Sequence, residues 1–273
     1  MKKTLFIVIL VFLFSKNSFC QITKKPLTIG ETITLKSQIL SEERTLNIYL
    51  PEGYQENDSI SYPVIYLLDG SINEDFIHVT GLVQFFNLQL QMPKTIVVGI
   101  ANVDRKHDFT FPTTIPDLKK DFPTTGGSEK FIAFIEKEIQ PFINSNYKVS
   151  DKKYLLGQSL GGLLATEILF KKPELFTHYI ITSPSLWWDD QSLLDKANTY
   201  LSKIQKPVYV FLAVGEEHKI MIRDAKNLAS ELKKYPKTIQ SDFHFFPKEN
   251  HATILHNSLY HAFLLEFPYK ESK

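Results

Sequence analysis

Between Lys153 and Leu164 the chain reads Lys-Tyr-Leu-Leu-Gly-Gln-Ser-Leu-Gly-Gly-Leu-Leu, an apolar run passing through Gly-x-Ser-x-Gly into a helical pattern. Such a strand-turn-helix junction forces its central residue into a crowded backbone conformation and exposes a serine oxygen as a nucleophile. Ser159 is that serine, and Gly157 and Gly161 are the positions where a side chain would meet the neighbouring elements. A serine hydroxyl attacks nothing at neutral pH unless a base lies within hydrogen-bond reach, so the chemistry requires a histidine downstream. Of the eight histidines, His251 has the right place. It sits in Phe246-Pro247-Lys248-Glu249-Asn250-His251-Ala252-Thr253, on the loop between the last expected strand and the terminal helix. His78, His107, His178, His218, His244, His256 and His261 fall in or beside other elements.

A third group must orient the imidazole, and its place is after a strand lying between nucleophile and histidine. Val214-Gly215-Glu216-Glu217 ends such a strand. Glu216 is the expected acid, Glu217 the alternative, and Asp224 lies already inside the following helix. His218 beside these acids makes no metal-ligand spacing. An oxyanion hole needs two backbone N–H groups: Leu160, next after the nucleophile, supplies one. The other comes from Leu67-Leu68-Asp69-Gly70-Ser71, where Gly70 lets the chain turn so that Ser71, or Gly70 itself, presents the second.

The elements that must hold these residues follow from periodicity. Segments near Leu27 to Leu35 and Arg44 to Leu50 alternate as an antiparallel edge hairpin, closed off by the turn Pro51-Glu52-Gly53-Tyr54. Continuous apolar runs at Val64–Leu68, Thr95–Ile100, Tyr154–Leu156, Tyr179–Ile181 and Val208–Val214 suit strands buried on both faces. Helical patterns at Glu129–Asn144, Gly162–Phe170 and Met221–Leu232 separate them, which implies an α/β fold with a mostly parallel sheet and helices on both sides. The longest irregular stretch, Ala101 to Gly127, follows a strand and is placed to wall a pocket at the carboxyl edge of the sheet.

The chain has 273 residues, a net charge of +1 and 43% hydrophobic residues. Lys2, Lys3, the apolar stretch Leu5–Phe14 and the small residues Ser18 and Cys20 read as an export signal cut between Cys20 and Gln21. A lipid on Cys20 is the competing reading, and Phe19 stands where that signal wants a small residue. Cys20 is the only cysteine, which excludes disulfides, a thiol nucleophile and a cysteine-based zinc site in the exported chain. Residues 21–273 suit one domain. The mixed charge argues against nucleic acid as a partner, and no later segment is long and apolar enough for a membrane span.

The elbow, the Leu-Leu-Asp-Gly turn, Ser183-Pro184-Ser185-Leu186-Trp187-Trp188 and the late Glu-Asn-His together resemble the putative esterase family of α/β-hydrolases, near its siderophore-esterase branch and esterase D-like members, over nearly the whole mature chain. The resemblance implies acyl transfer from an ester to water or an alcohol without a cofactor or metal. It makes Ser159 the nucleophile, His251 the base, and Ser71 and Leu160 the oxyanion donors. The loop carrying Asn102 to Arg105 and Asp108 to Thr110 then borders the substrate. Arg105 is placed to bind an anionic or catechol-bearing acid, or else to pair with Asp104 or Asp108. Trp187 and Trp188 are candidates for an aromatic or sugar pocket, although two adjacent residues of an extended strand face opposite ways. Some relatives in the siderophore branch depend on serine and histidine without an effective acid.

The reading is an exported serine carboxylesterase acting on a siderophore ester or a polysaccharide-borne acyl ester. The competing readings are a noncatalytic carbohydrate- or ligand-binding protein on a hydrolase fold, and an acyltransferase to an alcohol.

Overall fold

The computed structural model describes residues 22–57 and 59–269; the expected export signal at residues 1–20, with Cys20, lies outside them. Eight strands form one sheet: β1 Glu31–Lys36, β2 Glu43–Tyr49, β3 Tyr62–Leu67, β4 Ile96–Ile100, β5 Val149–Gln158, β6 His178–Thr182, β7 Val208–Gly215 and β8 Ile239–Phe246. Their spatial order is β1-β2-β4-β3-β5-β6-β7-β8. The β1-β2 and β2-β4 pairs are antiparallel and every other pair is parallel. The expected edge hairpin is therefore β1-β2, and the five buried runs are β3 to β7.

Even the wholly buried strands keep a period of two. In β3 and its extension Val64, Tyr66 and Leu68 face one core layer, while Ile65 and Leu67 face the other. The first layer is closed by α4 Ser128–Phe134, α6 Leu160–Lys171 and α8 Lys219–Leu232, the second by α1 Phe76–Gln89 and α9 Ile254–Glu266. The remaining short helices are α2 Arg105–Asp108, α3 Pro116–Asp121, α5 Gln140–Asn146 and α7 Ala197–Leu201. Between α4 and α5 the backbone widens into a π turn at Ile135–Ile139, immediately before Pro141. A proline mid-helix has no N–H to give the preceding turn, so the expected helix from Glu129 to Asn144 bulges without ending.

The parallel strands point their carboxyl ends the same way. Asp69–Ser71 after β3, Ala101–Arg105 after β4, Ser159 after β5, Ser183–Trp188 after β6, Glu216–His218 after β7 and Asn250–Ala252 beyond β8 thus gather at one edge. That edge is where open α/β sheets place ligands.

Candidate active site

Ser159 has φ 60° and ψ −118°, a backbone state that an L-residue adopts only when its surroundings enforce it. The enforcement is visible: the Ser159 N–H donates to Thr182 O at 3.1 Å, and Leu163 N returns a bond to Ser159 O at 2.9 Å. A side chain on Gly157 would press into the carbonyl of Gly161. Gly161 is less confined than expected, since an added Cβ would lie 3.3 Å from a carboxylate oxygen of Asp69. The tighter position is Gly162, where it would come to 2.9 Å from Pro184 Cα. The half-buried Ser159 side chain opens into a cleft of about 490 Å³ lined by Ser185, Trp187, Met221, Glu217, His251 and their neighbours.

His251 lies on this cleft, on the loop predicted for it. Its Nδ1 is 2.7 Å from Oε2 of Glu217. The acid expected from the sequence, Glu216, does not make this contact: its side chain is exposed and its N–H is given to Glu249 O at 2.7 Å. Both glutamates lie past the end of β7, in the bend leading to α8, so no strand period assigns them; the bonds of Glu216 N–H to Glu249 O and of Gly215 N–H to the Glu217 carboxylate set which of them faces His251. One residue further along, the Glu217 side chain turns inward, is 2% exposed, and takes hydrogen bonds from Gly215 N at 3.1 Å and from the Ser183 hydroxyl. Burial, the largest influence on this carboxyl, would raise its pKa; the bonds from His251, Ser183 and Gly215 outweigh it and hold the group below the usual carboxylate range. A carboxylate can only accept, so Nδ1 carries the imidazole proton and Nε2 is left as the basic nitrogen. Asp224 is buried in α8 beside Arg223, 2.8 Å away, and His218 caps the same helix, its Nδ1 accepting from Ile220 N at 3.4 Å.

The histidine loop is tied to the elbow by Gln158, whose Nε2 donates to His251 O at 2.5 Å. This contact was not foreseen, although Gln158 occupies the variable position directly before the serine.

Leu160 opens α6 with its N–H at the helix amino terminus. Gly70 has no free N–H to serve as second donor: its N–H goes to Ile100 O at 2.9 Å, its carbonyl accepts from Asn47, and an added Cβ would collide with Gly99. The Ser71 N–H is directed at the Glu74 carboxylate, 3.2 Å away, closing a Ser-x-x-Glu turn ahead of α1. Glu74 also accepts from Asn102 at 2.9 Å.

Arg105 pairs with neither Asp104 nor Asp108. Its Nε and Nη2 form a fork onto Asp69, at 2.6 and 2.9 Å, and Nη2 reaches Gln158 O at 3.3 Å. Asp69, with φ 56°, thus serves as the post on which the loop after β4 is tied to the loop after β3. Asp104 instead caps α2 through His107 N, and Asp108 holds buried Arg44 at 2.7 Å. The expected pairing of Arg105 with Asp104 or Asp108 is corrected accordingly; Nη1, on a side chain 34% exposed, takes no part in the fork.

The two tryptophans part ways. Trp187 is half-buried on the cleft, whereas Trp188 is fully buried with Nε1 donating to Phe111 O at 2.9 Å. Trp188 is core, not pocket. Trp187, His218 and Met221 also border a second groove of about 720 Å³ with Ile115, Leu118 and Ile220, so the irregular stretch after β4 does wall a depression beside the cleft.

An eight-stranded, mostly parallel sheet with a strained serine at the strand-helix elbow and an acid-paired histidine beyond the last strand defines an α/β-hydrolase. The chain belongs to the Putative esterase family, which matches residues 37–255, and is a carboxylic ester hydrolase. It is 31% identical over 260 residues to the ferri-bacillibactin esterase BesA of Bacillus subtilis, covering 85% of this chain and 88% of the relative. A siderophore enterobactin esterase of Emericella nidulans is 36% identical over 98 residues, 35% of this chain and 32% of that one. Among solved structures, the BES protein of Bacillus cereus superposes with a TM-score of 0.78 at 30% identity, covering 89% of this chain and 97% of its own. An IroE-like serine hydrolase of Shewanella oneidensis gives 0.78 at 32%, covering 85% and 78%.

Proposed function

We propose that the protein is an exported serine esterase that cleaves siderophore esters through an acyl-enzyme, with Ser159 as nucleophile, His251 as base and Glu217 as the acid. The observation that carries the reading is the 2.7 Å bond from His251 Nδ1 to the buried Glu217 carboxylate on the same cleft as Ser159. His251 Nε2 takes the hydroxyl proton as Ser159 Oγ attacks the ester carbonyl. The imidazolium is stabilised by Glu217, then returns the proton to the departing alcohol; water repeats the sequence in reverse on the acyl-enzyme. Leu160 N–H stabilises the tetrahedral oxyanion, with Ser71 as the second donor once the substrate oxygen displaces Glu74. Siderophore esters are supported by the names of the relatives, and Trp187 offers an aromatic wall for an aryl acyl group. Export is supported by the charged, then apolar, then small residues at 2–20.

The test is hydrolysis of short nitrophenyl esters, methyl ferulate, acetylated xylan and a catecholate siderophore triester by wild type and Ser159→Ala. Turnover of the triester that disappears in Ser159→Ala is expected. Preference for xylan or ferulate would move the substrate to polysaccharide esters, and a transacylated product with glycerol present would make the enzyme a transferase. Ligand binding without turnover in either form would overturn the enzyme reading in favour of a binding protein.

A further inference from the structure

The three residues that leave β6, Ser183-Pro184-Ser185, touch both ends of the catalytic arrangement. Ser183 is held by its N–H on Ala213 O at 2.7 Å and has φ 45°, and its hydroxyl donates to Glu217 Oε1. Two residues on, Ser185 gives its N–H to Ser159 O at 3.0 Å, and its Oγ lies 3.3 Å from Ser159 Oγ. Pro184 between them is packed against Gly162 in the first turn of α6. Ser183 is 0% and Ser185 2% exposed. Buried hydroxyls need partners, and the partner each hydroxyl finds here is a group that the proposed reaction uses.

We propose that this segment is a strap that sets the nucleophile in register with the acid: Ser183 positions Glu217, and through it His251, while Ser185 steadies the Ser159 oxygen as its charge changes. The inference rests on the Ser159–His251–Glu217 reading above. In the attack step the Ser159 O–H bond breaks, its proton passes to His251 Nε2, and the oxygen's electron pair forms the bond to the ester carbon. Ser185 keeps its own proton and only turns, so that its O–H points at the Ser159 oxygen. It does so again in deacylation, when the Ser159–acyl bond breaks and that oxygen leaves with the electron pair. Ser185 therefore touches a reacting atom, whereas Ser183 acts only through Glu217.

Ser185→Ala and Ser183→Ala test the two halves, on nitrophenyl acetate, with rates referred to the sites that a fluorophosphonate titrates to completion. Misfolded protein then drops out of the count. For Ser185→Ala kcat per site falls about tenfold, the worth of one hydrogen bond to a charged oxygen, with KM within about twofold. For Ser183→Ala the Glu217 carboxylate, short of one donor, leans harder on the imidazolium, and the midpoint of the acid limb of kcat/KM moves to higher pH. The other charged or titratable groups around His251, namely Glu216, His218 and Glu249, are unchanged by that substitution. Full kcat per site in Ser185→Ala, or an unmoved acid limb in Ser183→Ala, overturns the corresponding half. Ser159→Ala is the reference: turnover surviving there would sink the underlying site assignment, whereas its loss beside unimpaired strap variants would sink the strap alone.

Discussion

Glu217 and Glu216 are chemically identical neighbours, and the course of the chain just beyond β7 decides which of them meets His251. Glu217→Gln keeps the shape of the side chain but removes the charge that favours the imidazolium, so kcat/KM is expected to fall on the order of 10²-fold. Glu216→Gln, on an exposed side chain, should stay within about twofold of wild type. Equal effects of the two in steady-state kinetics would refute the assignment. Glu217 also makes a prediction for stability. Its folded pKa is depressed, so the stability it contributes is complete above the unfolded carboxylate value, about 4.3, and is lost as pH falls through the lower folded value. Melting curves of Glu217→Gln across the acid range should lack that part of the wild-type decline. Asp75 has the opposite sign. Burial first, then the charges of Asp69 and Glu74, raise its pKa to about 6 against an opposing pull from Arg105. The native state holds a proton that the unfolded chain has released, so stability falls as pH rises from about 4 to 6. Asp75→Asn, still a good residue before a helix, should therefore melt higher than wild type at pH 7 to 8 and no higher at pH 4.

At the scale of elements, the loop after β4 is tied to the loop after β3 by the Arg105–Asp69 fork, beside the bonds of Asn102 to Asp69 at 2.7 Å and to Glu74 at 2.9 Å. Arg105→Lys keeps the charge but loses the planar two-point bond to Asp69, at an expected loss on the order of 1–2 kcal/mol in urea unfolding. In a double-mutant cycle with Asp69→Asn the two losses should not add; additive losses would mean that the fork is not the tie. This is also where the sequence was least legible. The strand runs, the elbow and the histidine loop could be read because buried strands and Gly-x-Ser-x-Gly have local signatures. Arg105 has three carboxylates within reach of any guess, and Asp69, its actual partner, lies 36 positions away in the chain; sequence neighbours Asp104 and Asp108 were the natural but mistaken choices. Helix α1 escaped notice for a different reason. Ile77, Phe85 and Leu88 are exposed on it while Phe76, Val79, Val83 and Phe86 are buried, so apolar residues circle the helix and blur its period. Trp187 and Trp188 lie in a turn rather than an extended strand, so alternation does not separate them, and which of them is buried depends on Phe111 and Phe122, brought in from the distant loop.

The whole molecule is organised so that chemistry happens on one edge and stability comes from two apolar layers behind it. The class of fold was legible because those layers require the buried runs and helical stripes that the sequence displays. The strand order was not, since placing β4 between β2 and β3 depends on pairings far apart in the chain. Within residues 22–57 and 59–269 no helix is long and apolar enough to cross a membrane. Cleavage after Cys20 would leave a chain starting at Gln21, whereas lipidation would retain Cys20 as the first residue and tether the chain to a membrane through acyl chains. Intact-mass analysis of the exported protein separates these outcomes. The expected mass is that of a chain starting at Gln21; a chain starting at Cys20 and heavier by a diacylglyceryl group would establish the anchor instead. A chain produced from Gln21 onward should match the uncleaved chain in kcat and melting temperature, and a lower melting temperature for the shorter chain would show that the first twenty residues stabilise the enzyme.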